Sequence, residues 1–464
     1  MEAEVTEGPR NEPARPEDSR GGFDSYFKLS ERGTSIGTEA RAGITTFLVM
    51  AYIIFLNPAI LSNMIPEGPD RVAFITAASA GTALLAGLLT IVMGLAANYP
   101  IALAAGLGIN AIVAFTLVLG LGLSPAGAMG VIVLEGLIVL VLVLVGLREA
   151  IMDAVPLALK RAIGVGIGLF ILFIGFVDGG LIVPGTPIVQ FNFPVEAATW
   201  VFVLGLALTI VLFVLKVRGA LLISIIVMSI VAYLLGLTTV PENLSFVPDF
   251  STLGQFDVTE VWNLGILAAA LTSFAIMLTD FFDTMGTATA IAEQAGLATP
   301  DGKVPGINRV LLVDSFAAAA GGAAGISSNT SYIESAAGVA EGGRTGLTSV
   351  IVGMLFLLAV FVTPLAPMVP FAASGPVLVV VGYLMATLIK DIDFGDVEVG
   401  IPALLAITLM PLTYNITVGI GAAFVTYVLI KVVRGKFGEV HWLMWVVAVA
   451  FAIYFAQAWL NTMI

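Results

Sequence analysis

Long apolar runs, separated by short polar connections, recur along the chain from Ala42 to the C-terminus. Most have about twenty residues, the length that an α-helix needs to cross a hydrocarbon core of roughly 30 Å. A membrane β-barrel would show short alternating segments instead. The pattern predicts an all-α polytopic membrane protein. The predicted segments are 42–61, 73–97, 101–122, 127–147, 162–183, 199–215, 219–237, 264–292, 308–325, 330–341, 345–363, 375–389, 399–414, 416–433 and 442–460.

Composition agrees with this class and removes most enzyme chemistry. The 464 residues are 59% hydrophobic and 11% charged, which is more apolar surface than a soluble fold of this length could bury. There is no cysteine, and the one histidine, His441, lies in a short charged connection. Disulfides, thiolate or histidine metal clusters and His-dependent nucleophiles are excluded. We therefore expect no enzyme and no cofactor.

The charge pattern predicts the orientation. Residues 1–35 are polar and lack the apolar core of a signal peptide, so we expect a disordered tail. When the segments are threaded back and forth, only Arg71 among the 19 Lys and Arg residues falls on the side opposite this tail. The basic residues beyond the tail that share its side include Arg148, Lys160, Arg161, Lys216, Arg218, Lys303, Arg309, Arg344, Lys390, Lys431, Arg434 and Lys436. This bias predicts a multi-pass protein of the cell membrane with a cytoplasmic N-terminus and tail.

The last segment leaves two readings open. Residues 442–460 are either an extra crossing that leaves the C-terminus outside, or the result of dividing residues 399–433 into two segments.

Two segments are poor lipid-facing helices, and they hold similar places in the two halves of the chain. Residues 98–115 and residues 325–346 are interrupted by Gly, Pro or polar residues, and each precedes a long helix that opens with "VIV". Seven crossings per half would give the halves opposite orientations. Interrupted segments at corresponding positions indicate the midplane site of a transporter, because unwound backbone at that depth must line a cavity.

Acidic residues within the predicted spans are functional candidates, because ionisable groups are costly at bilayer depth. In "LTDFFDTMGTATA", residues 278–290, helical spacing puts Asp280, Asp283, Thr284 and Thr287 on one polar stripe, which faces a cavity or a polar partner. Interhelical hydrogen bonding is the alternative.

Two further acids have weaker functional signals. Asp314 is expected near the cytoplasmic end of its helix, either at the surface or beside a helix terminus. Glu135, inside "VIVLEGLIVLVL", is expected to pack against a polar group of another helix.

Glu334 lies in the second interrupted segment, after the polar run "SSNTS" and before the small residues Ala336, Ala337 and Gly338. Small residues let another backbone approach closely, and the polar run leaves backbone N–H groups for a ligand or for helix capping. Two carboxyl groups from opposed segments could have different roles at one site. One holds a proton in a low-dielectric cavity, and the other accepts paired N–H donors such as a nucleobase edge.

Several long motifs resemble the azaguanine-type purine permeases of the nucleobase-cation symporter family, which includes xanthine and uracil permeases. They are "YFKLSERGTSIGTEARAGITTFLVMAYIIFLNPAIL", "GLAANYPIALAAGLGINA", "LVGLREAI", "LTDFFDTMGTATAIAEQAGL", "SSNTSYIESAAGVAEGGRTGLTSVIVG" and "MPLTYNI". The resemblance runs from about residue 23 to residue 440.

The resemblance implies about 14 transmembrane segments in two inverted repeats of seven, with short strands in the third and tenth segments. The first repeat would cover 36–240 and the second 255–464. Core and gate domains would each take segments from both repeats. The core segments are 42–147 and 264–363, and the gate segments are 162–237 and 375–460.

The resemblance also implies the site. By position, the eighth-segment carboxylate that contacts the base matches Asp283, and the tenth-segment glutamate matches Glu334. Uracil permeases have a histidine where this chain has Thr287, which argues for purines. The other predicted substrate contacts are Thr287, Tyr332, Ile333, Thr330, Gly106 and Thr46. Asp283, Asp280 and Glu334 are the predicted proton-coupling residues.

The expected function is proton-coupled import of hypoxanthine, guanine or adenine by alternating access, with the proton as coupling ion. The alternative is a sulfate- or bicarbonate-type anion transporter of the same fold, although two adjacent acids repel anions. The expected partners are a small purine base and membrane lipid, with no nucleic acid. Whether the chain forms a homodimer stays open. So does the aromatic that stacks on the base, for which the candidates are Phe47, Phe281, Phe282 and Tyr332.

Overall fold

The computed structural model describes residues 22–146, 154–186, 188–240, 246–299 and 304–460, without the side chains of 458–460. Within these ranges nine helical spans are long and apolar enough to cross a membrane, and four shorter apolar helices accompany them. The predicted polytopic helical class is confirmed. Arg148, Lys303 and the first 21 residues of the predicted tail lie outside the described residues.

Seventeen helices are described in these ranges, and a π-helical stretch, Ile112–Gly120, continues the fifth. They are α1 (Gly22–Phe27), α2 (Ile36–Met50), α3 (Ile53–Leu61), α4 (Pro69–Ala96), α5 (Leu107–Ala111), α6 (Pro125–Leu144), α7 (Leu157–Asp178), α8 (Ala197–Val214), α9 (Ala220–Leu234), α10 (Ile266–Gln294), α11 (Ile307–Ala323), α12 (Ser335–Ala340), α13 (Gly346–Ala359), α14 (Phe371–Ala386), α15 (Val397–Thr413), α16 (Ile416–Val433) and α17 (Trp442–Leu460).

Four short strands form two antiparallel pairs. β1 (Leu103–Ala105) pairs with β4 (Asn329–Ser331), and β2 (Ile182–Pro184) pairs with β3 (Val189–Phe191). The first pair lies in the third and tenth segments, where strands were predicted. The second is a surface hairpin that the hydropathy pattern did not predict.

The chain between residues 22 and 35 differs from the predicted disordered tail. Residues 22–27 form α1, and Phe27 and Leu29 bury their side chains beside Leu347 of α13. Arg32 then donates hydrogen bonds to the carbonyl groups of Asn98 and Arg344 at 2.6 and 2.8 Å. Phe27, Leu29 and Arg32 together attach this segment to the helical bundle, although its overall composition is polar.

The first predicted span is two helices. α2 begins after Ser35, whose hydroxyl accepts from the Thr38 N–H at 3.3 Å and so caps the helix. It ends at Met50, and α3 begins at Ile53, so residues 51–52 interrupt a run that is continuously apolar in sequence. The interruption places the side chain of Tyr52 inside the bundle, where it is 0% exposed.

The helices pack as two groups. We call the first bundle α2, α4, α6 and α10–α13 with the β1–β4 pair, and the second bundle α7–α9 and α14–α16. In the first bundle α4 packs on α13 and α6 on α11, so the second span of each predicted half packs on the fourth span of the other. This exchange is what an inverted repeat produces. The predicted division into core and gate domains stays a prediction.

Glycine permits the closest of these contacts. A Cβ atom on Gly346 of α13 would lie within 1.9 Å of the Gly94 carbonyl oxygen of α4, and one on Gly382 of α14 within 2.5 Å of the Gly168 carbonyl oxygen of α7. Small residues at helix interfaces in membranes allow this backbone approach.

One reading of the sequence allowed a single helix over residues 399–433, but the structure contains two helices there, α15 and α16. α15 and α16 pack against each other as a hairpin, joined through Tyr414 in the left-handed conformation. At the open end of the hairpin, Glu398 forms ion pairs with Lys431 at 2.5 Å and with both Arg434 and Lys436 at 2.6 Å. Residues 399–433 were therefore correctly divided, and α17 follows as a separate helix.

Candidate functional site

A strand pair joins the two interrupted segments. Beyond the β1–β4 ladder, the N–H of Gly106 donates to the carbonyl oxygen of Ser328, and the N–H of Tyr332 donates to that of Ala102, both at 2.9 Å. Backbone polar groups at membrane depth must be satisfied within the protein, and this pairing satisfies both segments. The predicted contact Gly106 lies in this framework, where a Cβ atom would stand 3.0 Å from Thr330 Cγ2.

Asp314 of α11 holds this strand pair in place. Its Oδ1 accepts from the N–H and the hydroxyl of Ser331 at 2.9 and 2.8 Å, and its Oδ2 accepts from the Thr284 hydroxyl at 2.6 Å. Thr284 also shares a 2.9 Å hydrogen bond with Thr330, a predicted substrate contact. The sequence placed Asp314 at the surface or at a helix terminus, but it is 1% exposed and ties β4 to α10 and α11.

The predicted polar stripe on α10 is divided between two environments. Asp283 is exposed, whereas Asp280, Thr284 and Thr287 are buried. Thr284 has the polar partners just described, so part of the stripe serves interhelical hydrogen bonding. Asp283 is thus the accessible member of the stripe, and the predicted substrate contact at Thr287 and coupling role of Asp280 would have to act from buried positions.

The structure brings Glu334 and Asp283 together. Glu334 is half-buried at the start of α12, and its Oε1 accepts a hydrogen bond from the Tyr52 hydroxyl at 2.6 Å. α10, which carries Asp283, packs against both β4 and α12, the two elements that flank Glu334. Carboxylates that lie near one another disfavour simultaneous ionisation.

The remaining predicted contacts surround this pair. Tyr332 is buried and donates its hydroxyl to the Ala105 carbonyl at 2.5 Å, while Ile333 beside it is 50% exposed. Thr46 of α2 is buried against Gly338, where a Cβ atom would meet the Thr46 hydroxyl, and this hydroxyl has no hydrogen-bond partner among the described residues. As predicted from its small side chain, Gly338 lets a neighbouring helix approach. Direct substrate contact by these residues stays a prediction.

The four aromatic candidates differ in availability. Phe281 is 1% exposed, Phe47 packs edge-on against Phe356 with ring centroids 5.1 Å apart, and the hydroxyl of Tyr332 is engaged. Phe282 is half-buried next to Asp283 in sequence, with the Lys160 ammonium 5.1 Å from its ring centroid. Phe47 and Phe282 are both half-buried, so burial does not choose between them as the stacking ring.

The sequence did not identify Tyr52, and it predicted only a surface or helix-terminal position for Asp314. No signal in the sequence identifies Tyr52, because the break at residues 51–52 lies inside a continuous apolar run. For Asp314 the available signal was the cost of burying a carboxylate, which requires several donors nearby; the residues that donate are distant in sequence.

Known proteins match the chain along nearly its full length. The family model of the xanthine/uracil permeases, described as "Permease family", matches residues 37–422. The permease MJ0326 of Methanocaldococcus jannaschii is 41% identical and covers 93% of this chain and 98% of its own. The guanine/hypoxanthine permease PbuG of Bacillus subtilis and the adenine permease AdeQ of Escherichia coli are each 38% identical, covering 93% of this chain and 99% and 96% of their own. These relatives are permeases and not enzymes, as predicted.

Solved structures show the same fold at low identity. The transmembrane domain of the cyanobacterial bicarbonate transporter BicA gives a TM-score of 0.59 at 16% identity, with 83% of this chain and 97% of that chain covered. The murine Slc26a9 anion transporter in its inward-facing state gives 0.61 at 11% identity, with 94% and 77% covered. This likeness confirms the inverted-repeat transporter architecture.

The predicted family is confirmed by the family model and by these relatives, and the β1–β4 pair and both acids lie inside the matched region 37–422. This multi-pass membrane protein belongs to the permease family that includes the xanthine and uracil permeases.

Proposed function

We propose that the protein is a proton-coupled secondary transporter that imports purine nucleobases by alternating access. The observation that carries the proposal is that α10, with exposed Asp283, packs against the β1–β4 strand pair and against α12, which half-buried Glu334 precedes. Ionised carboxylates only accept hydrogen bonds, so they suit a flat ligand that presents N–H groups. The names of the guanine/hypoxanthine and adenine permeases among the relatives support a purine.

Proton coupling follows from the crowding of acids. A carboxyl group held in a low-dielectric cavity can keep a proton at neutral pH. If one acid holds a proton while the other is ionised and accepts the N–H groups of the base, proton and base bind together and cross together. In this scheme Asp283 and Glu334 bind substrate and carry the proton, and Asp280 relays it.

The proposed orientation puts the N-terminus in the cytoplasm of a cell-membrane protein. Its support is that three basic residues predicted on that side meet at one end of the molecule. Arg32 donates to the carbonyl group of Arg344, and Arg218 forms an ion pair with Glu341, three residues before Arg344. Positive charge gathered at one end is typical of the cytoplasmic face.

The anion alternative rests on the fold alone, since BicA and Slc26a9 share it. Two acids at the strand pair argue against an anionic substrate, because a carboxylate or sulfate there would meet like charge.

Uptake into proteoliposomes separates these functions. Labelled hypoxanthine, guanine, adenine, uracil and sulfate are offered with an inward proton gradient, and again with a protonophore. We expect uptake of a purine that the protonophore suppresses. Sulfate uptake without purine uptake would contradict the proposal, and purine uptake that ignores the protonophore would contradict its proton-coupled part alone.

A further inference from the structure

Tyr52 joins the first span to the tenth segment. It is the residue before α3, its side chain is 0% exposed, and its hydroxyl lies 2.6 Å from Glu334 Oε1. The two residues are separated by 282 positions in the chain. A buried phenol requires an acceptor, and this one takes an oxygen of the acid placed at the proposed site.

The hydrogen bond limits what Glu334 can do. A glutamate side chain has three rotatable bonds, and a donor on Oε1 fixes the carboxyl plane while Oε2 keeps its lone pairs. Fixing the acceptor before the ligand arrives removes part of the ordering cost of binding. The donor is also neutral. A lysine or arginine at this place would cancel the negative charge that attracts an N–H group, whereas a phenol leaves it on the carboxylate.

We propose that Tyr52 is a positioning residue for substrate recognition: it holds Glu334 in the conformation in which Oε2 receives an N–H group of the purine. The assignment rests on the proposed function and names how the site recognises its ligand. Tyr52 acts through Glu334, so its removal weakens one specific ligand hydrogen bond.

The test compares ligands as well as proteins. Dissociation constants are measured by titration calorimetry on the purified full-length chain for hypoxanthine and for 1-, 7- and 9-methylhypoxanthine, each of which blocks one ring nitrogen. The methylated base that loses most affinity in the wild type marks the N–H group that the site reads. Tyr52→Phe removes the hydroxyl and keeps the ring.

A matched control removes the same chemical group elsewhere. Tyr99 is 3% exposed, and its hydroxyl donates to the Pro305 carbonyl at 2.6 Å, so Tyr99→Phe loses a hydrogen bond of equal length outside the site. Should Tyr52→Phe not reach the membrane, Tyr52→Met provides a second variant without a donor.

We expect Tyr52→Phe to weaken hypoxanthine binding about tenfold or more, the range for a hydrogen bond to a charged group. The methylated base should weaken far less, so the ratio of the two constants falls, while Tyr99→Phe keeps the wild-type ratio. An unchanged ratio in the Tyr52 variant overturns the assignment and leaves the proposed function intact. Equal affinity of the wild type for hypoxanthine and all three methylated bases also overturns it. A wild type that binds no purine overturns both.

Discussion

Reversing the charge of Arg218 should favour a conformation in which the two bundles separate at the end of the molecule that carries Arg32, Arg218 and Arg344. Arg218 lies between α8 and α9 of the second bundle, and its ion pair with Glu341 reaches the end of α12 in the first bundle. Movement of the two bundles relative to each other must break this contact. Arg218→Glu replaces the attraction with repulsion and therefore favours the conformation in which the bundles separate at this end.

The size of the effect follows from exposure. The Arg218 side chain is 65% exposed and that of Glu341 is 21% exposed, so solvent screens the pair and about 0.5–1 kcal/mol is its expected worth. Reversal adds repulsion of similar size, for a total of about 1–2 kcal/mol. The population ratio of the two conformations should then change by a factor of about 5–30.

The absence of native cysteine provides the assay. Gly286 is exposed one turn after Asp283, and a Cβ atom there would meet nothing within 4 Å, so Gly286→Cys places the only thiol beside the open space. The rate of labelling by a membrane-impermeant maleimide is measured from each side of oriented vesicles. Arg218→Glu should raise the rate from the side that bears Arg218, and the double reversal with Glu341→Arg should restore it.

The control reverses a charge that does not bridge the bundles. Lys28 forms a 3.2 Å ion pair with Glu31 within the N-terminal segment, so Lys28→Glu should leave the labelling rate unchanged. Equal labelling in Arg218→Glu and wild type would refute the reasoning, as would a double reversal that behaves like the single one.

Three further variants test the framework around the site. Asp314→Ala leaves the donors of strand β4 without their acceptor, which costs about 1–3 kcal/mol for each buried group. The melting temperature in detergent and the purine affinity should therefore both fall. Unchanged values would show that the strand does not depend on Asp314. Gly346→Ala should abolish the monodisperse peak in size-exclusion chromatography, because the new Cβ would clash with α4. Gly37→Ala, on α2 with no atom near the new Cβ, should instead raise the free energy of unfolding by roughly 0.5–1 kcal/mol. Equal behaviour of the two variants would contradict the packing. Glu135 is fully buried with no hydrogen-bond partner among the described residues, so Glu135→Gln should keep coupled uptake, and loss of protonophore sensitivity would instead assign it to the proton path.

The sequence predicted those parts of the fold that depend on local periodicity. The bounds of α10 (Ile266–Gln294) and α16 (Ile416–Val433) follow from the length of their apolar runs, with at most two residues of difference from the predicted segments. The strand pair followed from family resemblance, because a three-residue strand has no hydrophobic period of its own to detect.

The sequence could not predict contacts that close over hundreds of residues. Asp283 and Glu334 were paired by family resemblance, and α10 does pack against the elements that flank Glu334. The anchoring of the strand by Asp314 depends on donors from two other elements. The helix break at Tyr52 has no glycine, proline or charge to mark it. Both features arise from tertiary packing, which an apolar membrane sequence records only weakly because nearly every face of a helix is hydrophobic.

The central claim is that Asp283 and Glu334 together bind a purine and couple it to protons. The most direct measurement is uptake of labelled hypoxanthine, guanine and adenine into proteoliposomes with an inward proton gradient, for wild type, Glu334→Gln and Asp283→Asn. The account predicts purine uptake by the wild type, loss of high-affinity binding in Glu334→Gln, and in Asp283→Asn uptake that stops or no longer responds to the gradient. Uptake by both variants equal to that of the wild type would contradict it.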